Sequence, residues 1–258
     1  MKMNKKLYYL LMGLLTVIIA GCLAYLLIYY VSSKLADDKQ KDLAELIVEV
    51  STETTEETVS EESDEPVFQE KFRTLYEMNQ DFVGWLTVPD TNIDYPVMQK
   101  LDDEEYYLRR DFEKKSSQAG MLFLDTECDV KKPTVNMMIY GHNMKSGKMF
   151  HDLLKYDDKE FYESHKYITF DTIYREGTYE VIAAFYTEIS AKDARKFKYY
   201  TFFDADYAGP FDYFVQNAKA LTPYETADAE FGDELITLST CAYHVENGRY
   251  VVVAKKIK

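Results

Sequence analysis

Hydrophobic and polar positions divide the chain into three regimes. From Leu7 to Val31 the sequence carries no charge; at 1.5 Å per helical residue such a run is long enough to cross a hydrocarbon core of about 30 Å. It predicts a transmembrane helix over 7–31. Between Leu35 and Glu65 the pattern reverses, with twelve acidic residues set against Lys39 and Lys41 in a stretch rich in Ser, Thr and Glu. Such composition predicts a solvated, self-repelling linker over 32–65, read as a spacer rather than an acidic binding tail. From Pro66 onward short apolar runs alternate with turn residues, which predicts one folded domain over 66–258.

Within that domain Phe68, Phe72, Leu75 and Tyr76 recur at helical spacing and predict a short amphipathic helix. Two short strands follow between Asn79 and Val97, joined by the turn Pro89-Asp90-Thr91-Asn92. Further strands are expected at Ala119–Leu124, Val135–Tyr140, Tyr167–Phe170, Tyr179–Tyr186, Leu235–Thr240 and Tyr250–Ala254. Lys148–Tyr156 and Phe211–Leu221 read as helices. Many short strands with few helices predict a mainly β fold, a barrel or a sandwich.

Composition and charge narrow the picture. An aromatic content of 15%, with 23 Tyr and 15 Phe, suits a β-rich core. The net charge is -15 and no Lys/Arg stripe interleaves with aromatics, so no nucleic-acid partner is expected. Lys2, Lys5 and Lys6 precede the apolar run and Asp37-Asp38 follow it. That asymmetry predicts a cytoplasmic tail over 1–6, membrane association through Leu7–Val31, and an extracellular domain. Ile19-Ala20-Gly21-Cys22 resembles a lipobox, the competing reading in which Cys22 is lipidated after cleavage; the mostly apolar residues that follow Cys22 favour an uncleaved anchor. Three cysteines, Cys22, Cys128 and Cys241, do not make a disulfide framework.

Candidate chemistry gathers at Thr237-Leu-Ser-Thr-Cys241. Ile236, Leu238 and Thr240 alternate with Thr237, Ser239 and Cys241, so a half-buried strand would present Cys241 at its tip. Asn247-Gly248 suits the tight turn of a hairpin that would bring Arg249 close to Cys241. His142, in Tyr140-Gly-His-Asn-Met144, follows an apolar strand and can reach out of its sheet. A thiolate nucleophile, an imidazole that moves protons and a guanidinium that steadies an oxyanion make an acyl-transfer set. With four His and three Cys in the chain, spacing alone leaves that set one pairing among several. His244 stands three residues after Cys241, a spacing that could ligate zinc, but no second pair accompanies it; no metal or cofactor is expected, and His244 reads as a loop residue near the mouth of the site. Cys128 reads as structural, Trp85 as core, and His151 and His165 as surface histidines. Asn143 reads either as a residue that orients His142 or as a local strand-end hydrogen bond.

These motifs together resemble the sortases, cysteine transpeptidases of Gram-positive cell surfaces. Thr237-Leu-Ser-Thr-Cys241, Arg249 within Gly-Arg-Tyr-Val-Val-Val-Ala-Lys, and Tyr140-Gly-His-Asn143 are similar to the active-site motifs of that family, in its order. Val83-Gly-Trp-Leu and Asn92-Ile-Asp-Tyr-Pro-Val97 resemble the opening strands of its class B branch, as do Ser239 and a helix-bearing insertion over about 187–232. The resemblance implies an eight-stranded β-barrel with peripheral helices. It implies Cys241 as nucleophile, His142 as general acid/base and Arg249 as the residue that orients substrate and stabilises the oxyanion, with Ser239, Thr240 and Asn143 as candidate substrate contacts. Its partners would be surface proteins bearing a sorting signal of the Asn-Pro-x-Thr-Asn or Pro-x-Thr-Gly type, cleaved after Thr through a thioester, with a peptidoglycan cross-bridge or pilin amine as acceptor. A sortase-like hydrolase and a catalytically silent binding module remain as other readings. Some class B relatives carry an acid directly after the cysteine; here Ala242 stands there, so no role for that acid transfers.

Overall fold

The computed structural model describes residues 5–47, 66–190 and 196–258, and the chain divides into two compact units, Met1–Ile47 and Val48–Lys258. In the first unit a single helix, α1, spans Lys5–Glu45. Its segment Tyr8–Val31 is long and apolar enough to cross a membrane, and none of it is buried within the structure. α1 continues past Val31 into the acidic stretch read as linker, whose remainder, 48–65, lies outside the described residues.

The second unit is built on eight strands: β1 Phe82–Thr87, β2 Asp94–Met98, β3 Leu122–Leu124, β4 Asn136–Gly141, β5 Tyr167–Thr172, β6 Thr178–Glu188, β7 Leu235–Cys241 and β8 Gly248–Lys256. They close into a barrel in the order β1-β2-β3-β4-β7-β8-β6-β5. This is the barrel that the sequence motifs imply, and every expected strand is present within a few residues. β4 and β7 run parallel in its middle, and the others pair antiparallel except β2 with β3. A parallel pair in mid-sheet must be covered on both faces, which is why β7 is buried along nearly its whole length. β5, in contrast, alternates between buried and open positions.

Helices fasten to the barrel by apolar stripes and caps. α2 (Arg73–Met78) follows a single 3-10 turn and buries Leu75. The β4–β5 connection carries a 3-10 helix over Phe150–Asp157 and then α3 (Lys159–Ser164), which Asp158 caps by accepting from the N–H groups of Glu160 and Phe161. Asp152, 2% exposed, accepts from the backbone and side chain of Asn92 and so ties the β1–β2 turn to that connection. In the β6–β7 crossover, α4 (Ala208–Leu221) buries Phe211, Phe214, Val215 and Ala218, one stripe at helical spacing. Phe202 stacks on Phe214 at 4.5 Å, and Thr222 links the helix end to the N–H of Ala184 in β6. Trp85 is 6% exposed and donates to Asp94, a core position as the sequence predicts.

Because β4 and β7 are parallel, their C-terminal ends reach one end of the barrel together, and antiparallel β8 begins there. The thiol, the histidine and the arginine singled out above all belong to that end.

Candidate active site

Strand register puts the three groups in one row. Gly141, the last residue of β4, is aligned with Thr240 of β7, so the chain leaves the sheet at His142 just where β7 reaches Cys241. Across the other ladder Cys241 is the direct partner of Arg249. The N–H of Ala242 donates to the carbonyl of Gly248, and hydrogen-bonded and non-hydrogen-bonded pairs alternate in an antiparallel ladder. Cys241 and Arg249 are therefore a non-hydrogen-bonded pair, the kind whose Cα atoms approach to about 4.5 Å with side chains close on one face. Neighbouring strands lie about 4.8 Å apart, which puts the Arg249 backbone one strand spacing from that of Cys241 on one side; His142, one residue past the end of β4, stands on the other. All three side chains are half-buried.

Two glycines make the row possible by having no side chain. A Cβ on Gly141 would run into Leu122 and the ring of Phe150; one on Gly248 would strike the Ala242 carbonyl and His244. In the β7–β8 turn the left-handed conformation falls on Asn247, at φ 54°, rather than on the glycine. His244 is exposed at this turn, its ring packed edge-on against Tyr186 at 4.8 Å.

Each ionisable group of the row is held by backbone. His142 Nε2 lies 2.9 Å from the carbonyl oxygen of Leu108, in the loop between β2 and β3. A carbonyl can only accept, so Nε2 carries the hydrogen and Nδ1 is the nitrogen left for proton transfer. Burial pushes the histidine below its ordinary value; the Leu108 carbonyl raises it, and the nearby Arg109 cation lowers it further. The neutral ring is favoured. Arg249 Nη1 donates to the Gly248 carbonyl at 3.0 Å, which steers the guanidinium without neutralising it.

Beneath the row the sheet is polar and closed. Ser239 is 1% exposed, and its hydroxyl meets that of Tyr199, from the β6–β7 crossover, at 2.7 Å. Burial pushes the Tyr199 phenol up to about 12; its hydrogen bond to Ser239 and the Arg249 cation oppose that rise, and Cys241 adds to it. Thr240, also 1% exposed, points to the opposite face and donates to the Gly141 carbonyl at 2.7 Å. Of these two hydroxyls, expected as candidate substrate contacts, that of Thr240 ties β7 to β4 and that of Ser239 ties β7 to the β6–β7 crossover.

Asn143 makes the strand-end hydrogen bond that was one of its two expected roles, and His151 departs from expectation. Nδ2 of Asn143 donates to the carbonyl of Cys241 at 2.9 Å, while its Oδ1 lies 2.8 Å from Nδ1 of His151. His151, read as a surface histidine, is half-buried and belongs to the site's surroundings. Nothing in its local pattern marks it, because its partner is set by the loop that folds back over 142–150. Cys128 is buried, receives the Met138 N–H at its sulfur, and is pushed by burial up to about 12, so it stays a thiol. All three cysteines are free, and among the described residues no cluster of His, Cys, Asp or Glu could hold a metal ion.

Comparison with known proteins places this arrangement. Residues 86–257 match the family model of the sortase domain. Sortase B of Listeria monocytogenes is 34% identical over 192 residues, covering 73% of this chain and 75% of that one. Sortase B of Staphylococcus aureus is 33% identical over 193 residues, with the same coverage. Among solved structures, a Staphylococcus aureus sortase B–substrate complex superimposes with a TM-score of 0.74 at 28% identity, over 88% of this chain and 99% of that one. Sortase B from B. anthracis in complex with AAEK1 gives 0.72 at 30% identity, over 89% and 99%. The chain belongs to the sortase family, and its relatives are class B sortases.

Proposed function

From that membership, we propose that the chain is a membrane-anchored cysteine transpeptidase, in which Cys241, His142 and Arg249 do the chemistry. The observation that carries this reading is that Cys241 and Arg249 are direct partners on β7 and β8, with His142 the first residue past the end of the neighbouring β4. Cys241 Sγ attacks the carbonyl carbon of threonine in a sorting signal, and its proton passes to Nδ1 of His142. The guanidinium of Arg249 stabilises the oxyanion of the tetrahedral intermediate. As that intermediate collapses the C–N bond breaks, and the departing amine takes the proton back from His142, leaving a thioester on Cys241. An amine of the peptidoglycan cross-bridge or of a pilin then attacks the thioester, gives its proton to His142, and releases the thiol with a new amide bond. The solved complex of the Staphylococcus aureus relative with its substrate supports substrate binding by this fold.

The apolar segment of helix α1 serves as the anchor, with Lys2, Lys5 and Lys6 on the cytoplasmic side and the barrel outside. Confinement to the membrane from which substrates emerge raises their effective concentration. Transfer is tested against hydrolysis by mass spectrometry of a sorting-signal peptide with and without a peptidyl amine. An amide product that grows with acceptor concentration is expected; the free acid alone under both conditions would establish a hydrolase.

A further inference from the structure

The β4–β7 ladder ends one residue short of the nucleophile, and a side chain continues it. Cys241 and Arg249 form a non-hydrogen-bonded pair, so the backbone N–H and C=O of Cys241 point away from β8, toward β4. β4 stops at Gly141. Where the next rung would come, Nδ2 of Asn143 donates to the Cys241 carbonyl at 2.9 Å. Asn143 is 9% exposed, so this bond forms largely out of water, where leaving either partner unpaired is costly.

His151 fixes which way that amide faces. With Nδ2 on a carbonyl, Oδ1 is the atom turned to the imidazole, and the ring nitrogen 2.8 Å away must donate. The loop is shaped to deliver it. The N–H of Phe150 bonds the carbonyl of His142, Asn143 pairs with Met149, and Met149 itself sits at φ 56°, a conformation a methionine adopts only when its surroundings impose it. The strained residue is two before His151.

We infer that His151 and Asn143 are positioning residues for Cys241: the chain His151 Nδ1–H to Asn143 Oδ1, and Asn143 Nδ2–H to Cys241 C=O, sets the backbone from which the thiol projects between His142 and Arg249. Neither residue touches a reacting atom in this role. The inference rests on Cys241 being the nucleophile, and the experiment separates the two.

The test uses the full chain in detergent micelles. It follows single-turnover acylation by a sorting-signal peptide, peptide KM, and the alkylation rate of Cys241 by iodoacetamide with site mapping by mass spectrometry. Native protein that never acylates at Cys241 would overturn the functional reading itself. Given native acylation, His151→Ala and Asn143→Ala should each slow acylation about tenfold, the worth of one neutral hydrogen bond at a reacting centre, with KM within about twofold. Asparagine places its Nδ2 where histidine has Nδ1, so His151→Asn should restore acylation to within about threefold of native. Alanine variants with native acylation rates, or a His151→Asn variant as slow as His151→Ala, would overturn the inference. So would a loss confined to KM.

Discussion

Two arginines, one at each end of the barrel, are held in opposite ways. At the end away from the thiol, charge meets charge: Arg175 is paired with Glu234 through both nitrogens and both oxygens, Lys71 bridges Asp171 and Glu176, and Lys255 lies near Asp233. At the end that carries the thiol, Arg249 donates to a backbone carbonyl and His142 sits on another. A carboxylate partner neutralises a cation and spends its field; a carbonyl fixes direction and leaves the charge available to a ligand. The first arrangement fastens the ends of β5, β7 and β8, and the second keeps a guanidinium and an imidazole poised beside Cys241.

The sharpest way to break that contrast is to remove one arginine from each end. Arg249→Met should lower kcat about 10²- to 10³-fold, the usual cost of losing one oxyanion donor, with little change in Tm, because its hydrogen bond is to its own strand. Arg175→Met should leave kcat unchanged and lower stability by about 1 kcal/mol, discounted because both partners are partly exposed, or roughly 2–4 °C in Tm. Steady-state kinetics and thermal unfolding on the two variants check the pair. If Arg249→Met unfolds readily or Arg175→Met loses turnover, the division of labour is wrong.

A smaller effect concerns pH. Burial and the Arg109 cation hold His142 below its ordinary value of 6.5 in the fold. In the unfolded chain that depression is absent, so as pH falls below 6.5 the unfolded state takes up the proton first and stability drops through that window. With His142 as the proposed base, the acid limb of kcat/KM should lie below 6.5, since the ring must be neutral to accept the thiol proton. Arg109→Gln should move the limb upward, toward 6.5. A limb above 6.5, or one indifferent to Arg109, would show that another group controls acylation.

The barrel was legible in the sequence because period-two alternation and β-branched runs mark strands directly, and because Asn247-Gly248 announces the β7–β8 hairpin that pairs Cys241 with Arg249. Local pattern placed His142 only in part. Its place after an apolar strand marked it as able to reach out of the sheet, but its nearness to Cys241 depends on β4 lying parallel beside β7, a long-range pairing that no spacing records. The Leu108 carbonyl left no trace at all, since every residue has a carbonyl and only the loop's path selects this one. His151 was misread for a related reason: its neighbours Phe150, Leu153 and Leu154 show a helical turn, whereas its partner is eight residues back across a fold of the loop. Ser239 and Thr240 were legible as members of the motif strand, but alternation does not record that Tyr199 meets Ser239 or that Thr240 bonds the Gly141 carbonyl.

The central claim is that Cys241, and neither Cys128 nor Cys22, forms the covalent bond with substrate. Intact mass and peptide mapping of the full chain after exposure to a sorting-signal peptide bearing a thiol-reactive group should find one adduct, on Cys241, absent in Cys241→Ala while the β-rich circular dichroism spectrum is kept. An adduct that persists on Cys128 in the Cys241→Ala protein would contradict the account.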